Sequence, residues 1–343
     1  MGEGAAHMNP DIGRAARRTG IACFAVIGTV LASLASALAQ PAKSAESFPA
    51  RTVRWVVPYP PGASNDVVAR LLAQKLTELW GQSVVTDNRA GAGGLVGADI
   101  VAKSTPDGYT LLMTNPGSNA INFALRTRTP YKEEDFSHVG LLGWSPIMLV
   151  TSATFPAAGV KDVIAMAKAR PGQLSGGSSG TGGSSHLALE LFKLLAGVDI
   201  AHVPYKGAAL AITDLIGGRI SIIFTTPVTA QPLIKGGKLK TLAVAGDRRL
   251  NIYPDVPTTV EQGLKGFDVL IWFGVSVPAG TPRPVVLKLN RDLQRLLQFA
   301  DVQERFATLG LDPQGGSPER FATIIKEDIE RWRTVVKEAR IED

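Results

Sequence analysis

Residues 53–57, Val-Arg-Trp-Val-Val, are β-branched and aromatic around one arginine, and they stop at Pro58-Tyr59-Pro60-Pro61-Gly62. Beyond that turn the apolar period changes: Val67, Val68, Leu71, Leu72, Leu76 and Leu79 recur at helical spacing. The first pattern predicts a strand and the second an amphipathic helix. Further strands are expected over 83–86 and 109–113, the second introduced by Pro106-Asp107-Gly108, with a glycine-rich turn into a helix over 91–97 between them. Helices are then expected over 160–169, 187–195 and 208–216, and strands over 200–203, 220–224 and 239–245. That rhythm implies an α/β sheet with helices on both faces.

The C-terminal part changes character. Thr281-Pro282 and Ser317-Pro318 each place a capping residue before a proline at a first helical position, and two long amphipathic stretches follow. The last, from Pro318 to about Arg340, carries Phe321, Ile324, Ile325, Ile329, Trp332 and Val336 as a core-facing stripe. Neither a low-complexity linker nor a clean internal repeat divides the chain.

At 343 residues the chain exceeds what one core usually organises, so two domains are expected. Hydrophobic residues at 45% and charged residues at 19% exclude a disordered chain, a coiled coil and a collagen-like fibre. A net charge of +6 is too dilute, and aromatics at 6% too few, for a nucleic-acid surface. Arg14, Arg17 and Arg18 precede an apolar stretch over 20–38 that ends in Ala37-Leu38-Ala39, the order of a secretory signal peptide. The competing reading, an uncleaved anchor, is weakened by interspersed Gly, Ser and Ala. Cys23, the single cysteine, lies near the start of that stretch, where no lipid attachment is expected, and it leaves with the signal. The mature protein, residues 40–343, is therefore expected to be soluble in the periplasm.

Gly176-Gly177-Ser178-Ser179-Gly180 matches the G-x-S-x-G pattern of a hydrolase nucleophile elbow, with His186 close by. The pattern lies inside a longer Gly/Ser tract, 176–185, whose helix begins only around Ser184, so a flexible or anion-cradling loop is favoured. Ser178, Ser179, Gly180, Thr181, Gly182, Gly183 and Ser184 would offer backbone N–H groups and hydroxyls ahead of a positive helix N-terminus. Pro60-Pro61-Gly62-Ala63-Ser64-Asn65-Asp66 repeats that logic in the other half of the chain, and the two N-termini could face each other over a carboxylate. Asp66, itself negative, reads as a cap or loop brace. Gly91-Ala92-Gly93-Gly94-Leu95-Val96-Gly97 misses the dinucleotide fingerprint at Val96, and Gly236-Gly237-Lys238-Leu239 lacks the hydroxyl of a P-loop. His138, His186 and His202 make no metal-ligand pair at helical spacing, and His202 reads as a structural histidine in a strand. No metal, cofactor or catalytic residue is expected.

Beyond single motifs, an ordered set spans the mature chain: Pro58 to Asp66 with Ala69-Arg70, Asn88 to Gly94, and Pro106 to Leu112. Then come Ser179 to Gly182 with His186, His202 to Gly207, Gly236 to Leu239, Pro254 to Thr258 with Glu261 and Gly263, and Pro278 to Pro282. In these residues the chain resembles the Bug-type (TctC-like) periplasmic solute-binding receptors of tripartite tricarboxylate transporters.

The resemblance implies a type II periplasmic-binding-protein fold, two α/β lobes around a ligand cleft. Lobe 1 would take 46–148 plus 272–343 and lobe 2 residues 149–271, after a signal peptide of 1–39, with connections near 149–151 and 272–276. It implies a monomer that passes a small carboxylate to membrane permease subunits, with no nucleic acid involved. The ligand would be held by the loop Tyr59, Pro61, Gly62, Ala63, Ser64, Asn65 and Asp66 and by the loop Ser178, Ser179, Thr181, Gly182, Gly183, Ser184 and His186. Thr114, Asn115, Asn119, Tyr205, Thr225 and Thr226 would complete the wall that selects the ligand. None of these loops carries a basic residue, so binding would rest on N–H and hydroxyl donors.

Two departures stand out: Ala63 replaces the second of two usual glycines, and Asn65 stands where Thr is frequent. A left-handed Ala63 would cost on the order of 1 kcal/mol; otherwise its methyl narrows the pocket. The residues leave open a di- or tricarboxylate, an amino acid or an aromatic acid as ligand. They also leave open a receptor serving a sensor, and a secreted serine hydrolase using Ser178 or Ser184 with His186.

Overall fold

The computed structural model describes residues 1–2 and 48–341. The expected signal peptide, beyond its first two residues, and its cleavage after Ala39 lie outside the described residues. The opening exchange of periods becomes β1 (Val53–Val57), α1 (Ser64–Trp80) and β2 (Val84–Asn88). A one-turn helix at Ala92–Gly94 leads into α2 (Leu95–Ala102), β3 (Thr110–Thr114), a π-turn at Gly117–Ile121 and the short α3 (Asn122–Leu125). After β4 (Phe136–Pro146) only Ile147 precedes β5 (Met148–Ser152). Then α4 (Val160–Ala169), β6 (Ser175–Ser178), α5 (Ser184–Ala196), β7 (Ala201–Pro204), α6 (Ala208–Ile216), β8 (Ile222–Thr225), α7 (Pro227–Lys235) and β9 (Leu239–Val244) alternate. The chain ends with β10 (Leu270–Pro278), α8 (Arg283–Leu296), α9 (Ala300–Thr308), β11 (Asp312–Pro313) and α10 (Pro318–Glu338).

Among the described residues the strands form two mixed sheets, ordered β11-β4-β10-β3-β1-β2 and β7-β6-β8-β5-β9. β1 lies parallel between β2 and β3, with Val53 opposite Val84 and Arg54 opposite Thr110. β6 likewise lies parallel between β7 and β8. The chain passes between sheets at Ile147, whose N–H donates to Val269 O (3.1 Å) and whose carbonyl accepts from Ala245 N–H (2.9 Å). Strand pairing thus puts Leu149–Thr151 inside the second sheet and Trp272–Ser276 inside the first, so both crossings precede the stretches expected for them.

The stripe on α10 packs under the first sheet. Phe321, fully buried, meets Trp272 edge-on at 5.4 Å and His138 at 5.7 Å, and Trp272 Nε1–H donates to Asp328 (2.9 Å). Beside them His138 bridges Glu133 (3.1 Å) and Ser276 (2.9 Å), and Thr114 Oγ1 donates to Ser276 Oγ (2.8 Å). That chain of hydrogen bonds satisfies the polar groups that β3, β4 and β10 bury. Ser317 caps α10 as expected, accepting from Arg320 N–H (3.2 Å). Thr281 does not cap α8: its hydroxyl turns back to Pro278 O (2.7 Å), and Pro282 holds the cap position. Three amphipathic helices, not two, occupy the C-terminal part, because the chain breaks between Leu296 and Ala300.

Candidate functional site

At the carboxyl ends of β1, β3, β6, β7 and β8 lies a cavity of about 60 Å³. Crevices at such strand ends are where open α/β sheets take their ligands. Each strand leaves its last residue and hands the chain to a loop or helix that supplies the wall: Tyr59, Ala63, Ser64 and Asn65 after β1, Asn115 after β3, Ser179, Ser184 and Ser185 after β6, Ala208 after β7, and Thr226 and Thr229 after β8. Thr225 and Phe224 of β8, Ile147 and Ile271 of β10 complete it. Among these lining residues there is no Asp, Glu, Lys, Arg or His.

Positive potential comes instead from the backbone. The helices α1, α5, α6 and α7 all begin at this cavity, with Ala63, Gly183, Gly207 and Thr226 at their caps, and none of the four caps has a side-chain hydrogen bond. First-turn N–H groups have no intrahelical acceptor, and each helix start carries a partial positive charge of roughly half a unit. Four such ends around a small void give it a positive potential without a cation.

The first loop is held rigidly. Gly62 takes the left-handed turn (φ 80°), while Ala63 is extended (φ −67°, ψ 158°). Ala63 is therefore unstrained, and its methyl lines the cavity. Asp66 accepts from Gly62 N–H, Arg70 Nε and Asn88 Nδ2, each at 2.9 Å. Burial alone would raise its pKa, but those donors outweigh it and leave the carboxyl below its ordinary value. Asn88 also donates to Tyr59 O (2.9 Å), so Asp66, Arg70 and Asn88 form one brace behind the loop. Tyr59 Oη donates to Gly93 O (3.0 Å), and burial pushes its pKa up to about 12. Asn115 Nδ2 donates to Asn65 Oδ1 (3.1 Å), fixing both amides at the wall.

The Gly/Ser tract is only half loop. Ser175–Ser178 is a central strand because Gly176 and Gly177 leave room for Leu189 and Ile220 to pack on them. Ser179 N–H donates to Ser185 Oγ (2.8 Å), tying the loop to α5. Behind it, Ser178 Oγ pairs with His202 Nε2 (2.7 Å), and the His202 and His186 rings stack 4.0 Å apart. Gly182 N–H donates to His186 Nδ1 (3.3 Å), which requires that nitrogen unprotonated. Burial, then the His202 and Lys193 charges, push His186 down to about 3; burial, then Lys193, push His202 down to about 4.

An unfolded chain protonates both rings near pH 6.5, whereas the folded protein does so only near pH 4 and 3. Their neutral state therefore favours folding fully above pH 6.5, and stability falls with pH below it, by roughly 1.4 kcal/mol per unit per imidazole. Melting temperature is expected to drop steeply between pH 7 and 5, and His202→Gln is expected to halve that slope. An unchanged slope in the variant would assign the acid sensitivity elsewhere.

Of the residues singled out by sequence, Tyr59, Ala63, Ser64, Asn65, Asn115, Ser179, Ser184, Thr225 and Thr226 are brought together on the lining. Pro61 and Gly62 form the exposed outer turn, and Asp66 lies in the brace. Thr114 points to Ser276 inside the first sheet, and Asn119 is buried in the π-turn, accepting from Ser118 Oγ (2.6 Å). Ser178 and His186 belong to the histidine layer behind the wall, and Thr181, Gly182 and Gly183 are backbone around the α5 cap. Tyr205 turns outward, its hydroxyl donating to Asp214 (2.8 Å). The hydrolase arrangement is not built around Ser178: it is fully buried and pairs with His202, not His186, and among the described residues no carboxylate hydrogen-bonds His202 and no hydrogen bond joins Ser184 to His186. Ile147, Ser185, Ala208, Phe224, Thr229 and Ile271 were not singled out. Only Ser185 carried a signal, as the last serine of the tract.

A model of the tripartite tricarboxylate transporter family receptor matches residues 68–341. The chain is 39% identical to protein BugT of Bordetella pertussis over 317 residues, 92% of this chain and 96% of that protein. It superimposes on R. palustris Rpa4515 with adipate at a TM-score of 0.83 and 36% identity, covering 86% of this chain and 99% of that one. The periplasmic binding protein BugD gives 0.82 and 34%, over the same shares. The fold is thus that of two-lobed periplasmic binding proteins, and the two sheets are the cores from which such lobes are built.

Proposed function

The chain belongs to the tripartite tricarboxylate transporter receptor family, and on that premise we propose that it captures a small carboxylate between two lobes and delivers it to the permease subunits of such a transporter. The observation that carries this reading is the meeting of four helix N-termini, none capped by a side chain, around a cavity with no charged side chain. Hydroxyls of Ser64, Ser179, Ser184 and Ser185 add donors at the same place. Adipate, present in the R. palustris structure, is a carboxylate of the kind such a site takes. The lobes divide at Ile147, the single residue between β4 and β5, and near Val269, just before β10, and these crossings can serve as hinges. Closure then requires only that the ligand bind the closed state more tightly than the open one.

The protein acts as a monomer in the periplasm after losing residues 1–39, and it turns nothing over. Ser178, fully buried and hydrogen-bonded to a neutral imidazole, supports that last point. The test is mass spectrometry of ligand released from purified protein, followed by a thermal-shift screen of mono-, di- and aromatic carboxylates. At a hundred times Kd a true ligand is expected to raise Tm by about 5 °C. A shift with sugars or cationic amines and none with any carboxylate would overturn the ligand class, and labelling by active-site serine probes with ester turnover would overturn the receptor reading.

A further inference from the structure

Behind the crossings between the sheets lies a second cavity of about 600 Å³, within the roughly 300–1,000 Å³ that small-molecule sites occupy. Ile147 and Ile271 line the first cavity, whereas Pro146 and Leu270, one residue before each, line this one. Successive residues of an extended chain point to opposite faces, so the two cavities lie back to back. The floor of the second is apolar: Trp144, Pro146, Leu270 and Leu311 come from the side of the first sheet, and Leu250 and Ile252 from the loop after β9 of the second. Leu270 is left 37% exposed there. An apolar floor inside a polar rim marks a binding groove rather than ordinary surface.

The walls are fixed. Arg249 Nε donates to Glu261 (2.9 Å) and its Nη1 to Pro254 O (2.9 Å), while Glu261 accepts from Thr258 N–H (2.7 Å), which ties the loop down. Opposite, Ser145 Oγ donates to Gly310 O (3.2 Å), and Asp312 pairs with Trp144 in the sheet. Pro254 to Thr258 with Glu261, part of the ordered set in the sequence, thus serve this wall and not the first cavity. The rim is acidic. Among the described residues the carboxylates of Asp247 and Asp268 have no hydrogen-bond or ion-pair partner, and that of Asp312 accepts only from the neutral Gln314 amide (3.1 Å). Arg331 donates to the Asp268 carbonyl, not to its carboxylate. Of the arginines on the lining, Arg249 is spent on Glu261, which leaves Arg248 against three carboxylates. We propose that this groove is a second ligand site, for a molecule with an apolar, ring-sized body and a cationic head. The body lies on the floor and bridges the two sheets, and the head meets the rim carboxylates. The proposal stands apart from the carboxylate reading, since no residue of this groove lines the first cavity.

The test is titration calorimetry with phenethylamine and with 2-phenylethanol, which keeps the ring and lacks the charge. It is run on the wild type, the Asp268→Asn/Asp312→Asn double variant, Leu270→Ala and Ile252→Ala, each checked for a cooperative melt. The wild type is expected to bind the amine about tenfold more tightly than the alcohol, and the double variant to bind the two alike. Leu270→Ala and Ile252→Ala, one from each side of the groove, are each expected to weaken both compounds about fivefold. Should Ile252→Ala not fold, Leu250→Ala tests the same wall. An amine no tighter than the alcohol in the wild type, or amine binding that all the variants leave intact, would overturn the proposal. Weakening by the alanine change on one side alone would overturn the bridging of the two sheets.

Discussion

Gly93→Ala is expected to weaken ligand binding about a hundredfold without altering any group that lines the cavity. Gly93 belongs to the half of the chain that builds the first sheet, and it lies against backbone of the Gly/Ser loop from the second. A methyl there would stand 2.7 Å from Thr181 O, 2.8 Å from Gly182 C and 3.0 Å from Gly183 N. These are main-chain atoms at the start of α5 and cannot turn aside as a side chain could. Across the contact, Gly182 (φ 78°) faces Asn122, whose Nδ2 donates to Gly93 O (3.2 Å) and Gly117 O (2.7 Å). Pro60 packs on Gly207 in the same manner. The left-handed strain of an alanine at φ 64° bears on the Gly93 turn whether or not the two loops touch, and the collision bears only on the arrangement in which they do, which on the proposed function is the closed one.

Overpacking of this kind costs roughly 1–3 kcal/mol, and at the upper end it lowers the closed population about a hundredfold. Apparent affinity falls with that population. Titration calorimetry should show the loss, and small-angle scattering with saturating ligand should show a larger radius of gyration than the wild type. Wild-type affinity in Gly93→Ala would mean that these loops separate in the bound state. Gly182→Asp also weakens binding on this view, but its side chain would meet Asn122 Oδ1 as well as bring a negative charge. Gly182→Ala isolates the steric part.

The same contact explains why the Gly91 to Gly97 stretch invites a dinucleotide reading. Its glycines serve close approach of two backbones, a need that composition cannot distinguish from phosphate binding. Where one face of an element is buried and the other wet, the apolar period located it: Val160–Ala169 and Ala208–Ile216 form as their patterns predict, while Val53–Val57, buried on both faces, was located by its β-branched and aromatic run before a proline turn. β4 escaped because nearly all its residues are buried, so no alternation survives, and Gly140 and Gly143 interrupt it. α7 escaped because Pro227 and Pro232 read as breakers, although the first is well placed at a helix start. β6 escaped because Ser-Gly-Gly-Ser has the composition of a loop, and only the packing of Leu189 and Ile220 makes it a strand. The polar half of the lining was legible, since small residues between a strand and a helix mark a turn that leaves helix N–H groups open. Its apolar half was not: Ile147, Phe224 and Ile271 are indistinguishable by sequence from the core, and their place on the lining follows from where the chain crosses between sheets.

Gly274→Ala is expected to cost about 3 kcal/mol of stability or more, a fall in Tm on the order of 5–10 °C. Gly274 lies in β10 between Thr114 of β3 and Leu141 of β4, at a register shift in the strand. A Cβ there would fall 2.1 Å from Phe321 Cζ and 2.5 Å from Cε1. The Phe321 ring has nowhere to go, since it is fully buried with Trp272 and His138 against its faces and edges. Phe321→Leu alone should also destabilise, by the cavity it leaves. Together the two changes trade ring volume for the new methyl, so the double variant is expected to be more stable than Gly274→Ala alone, a coupling of 1 kcal/mol or more by a double-mutant cycle in denaturant. Additive losses would show that the strand, not the ring, yields to the methyl. Because Ile271 lies three residues before Gly274 on this strand and forms part of the cavity wall, ligand affinity should recover with stability in the double variant; stability restored without affinity would place the β10 backbone shift at the site itself.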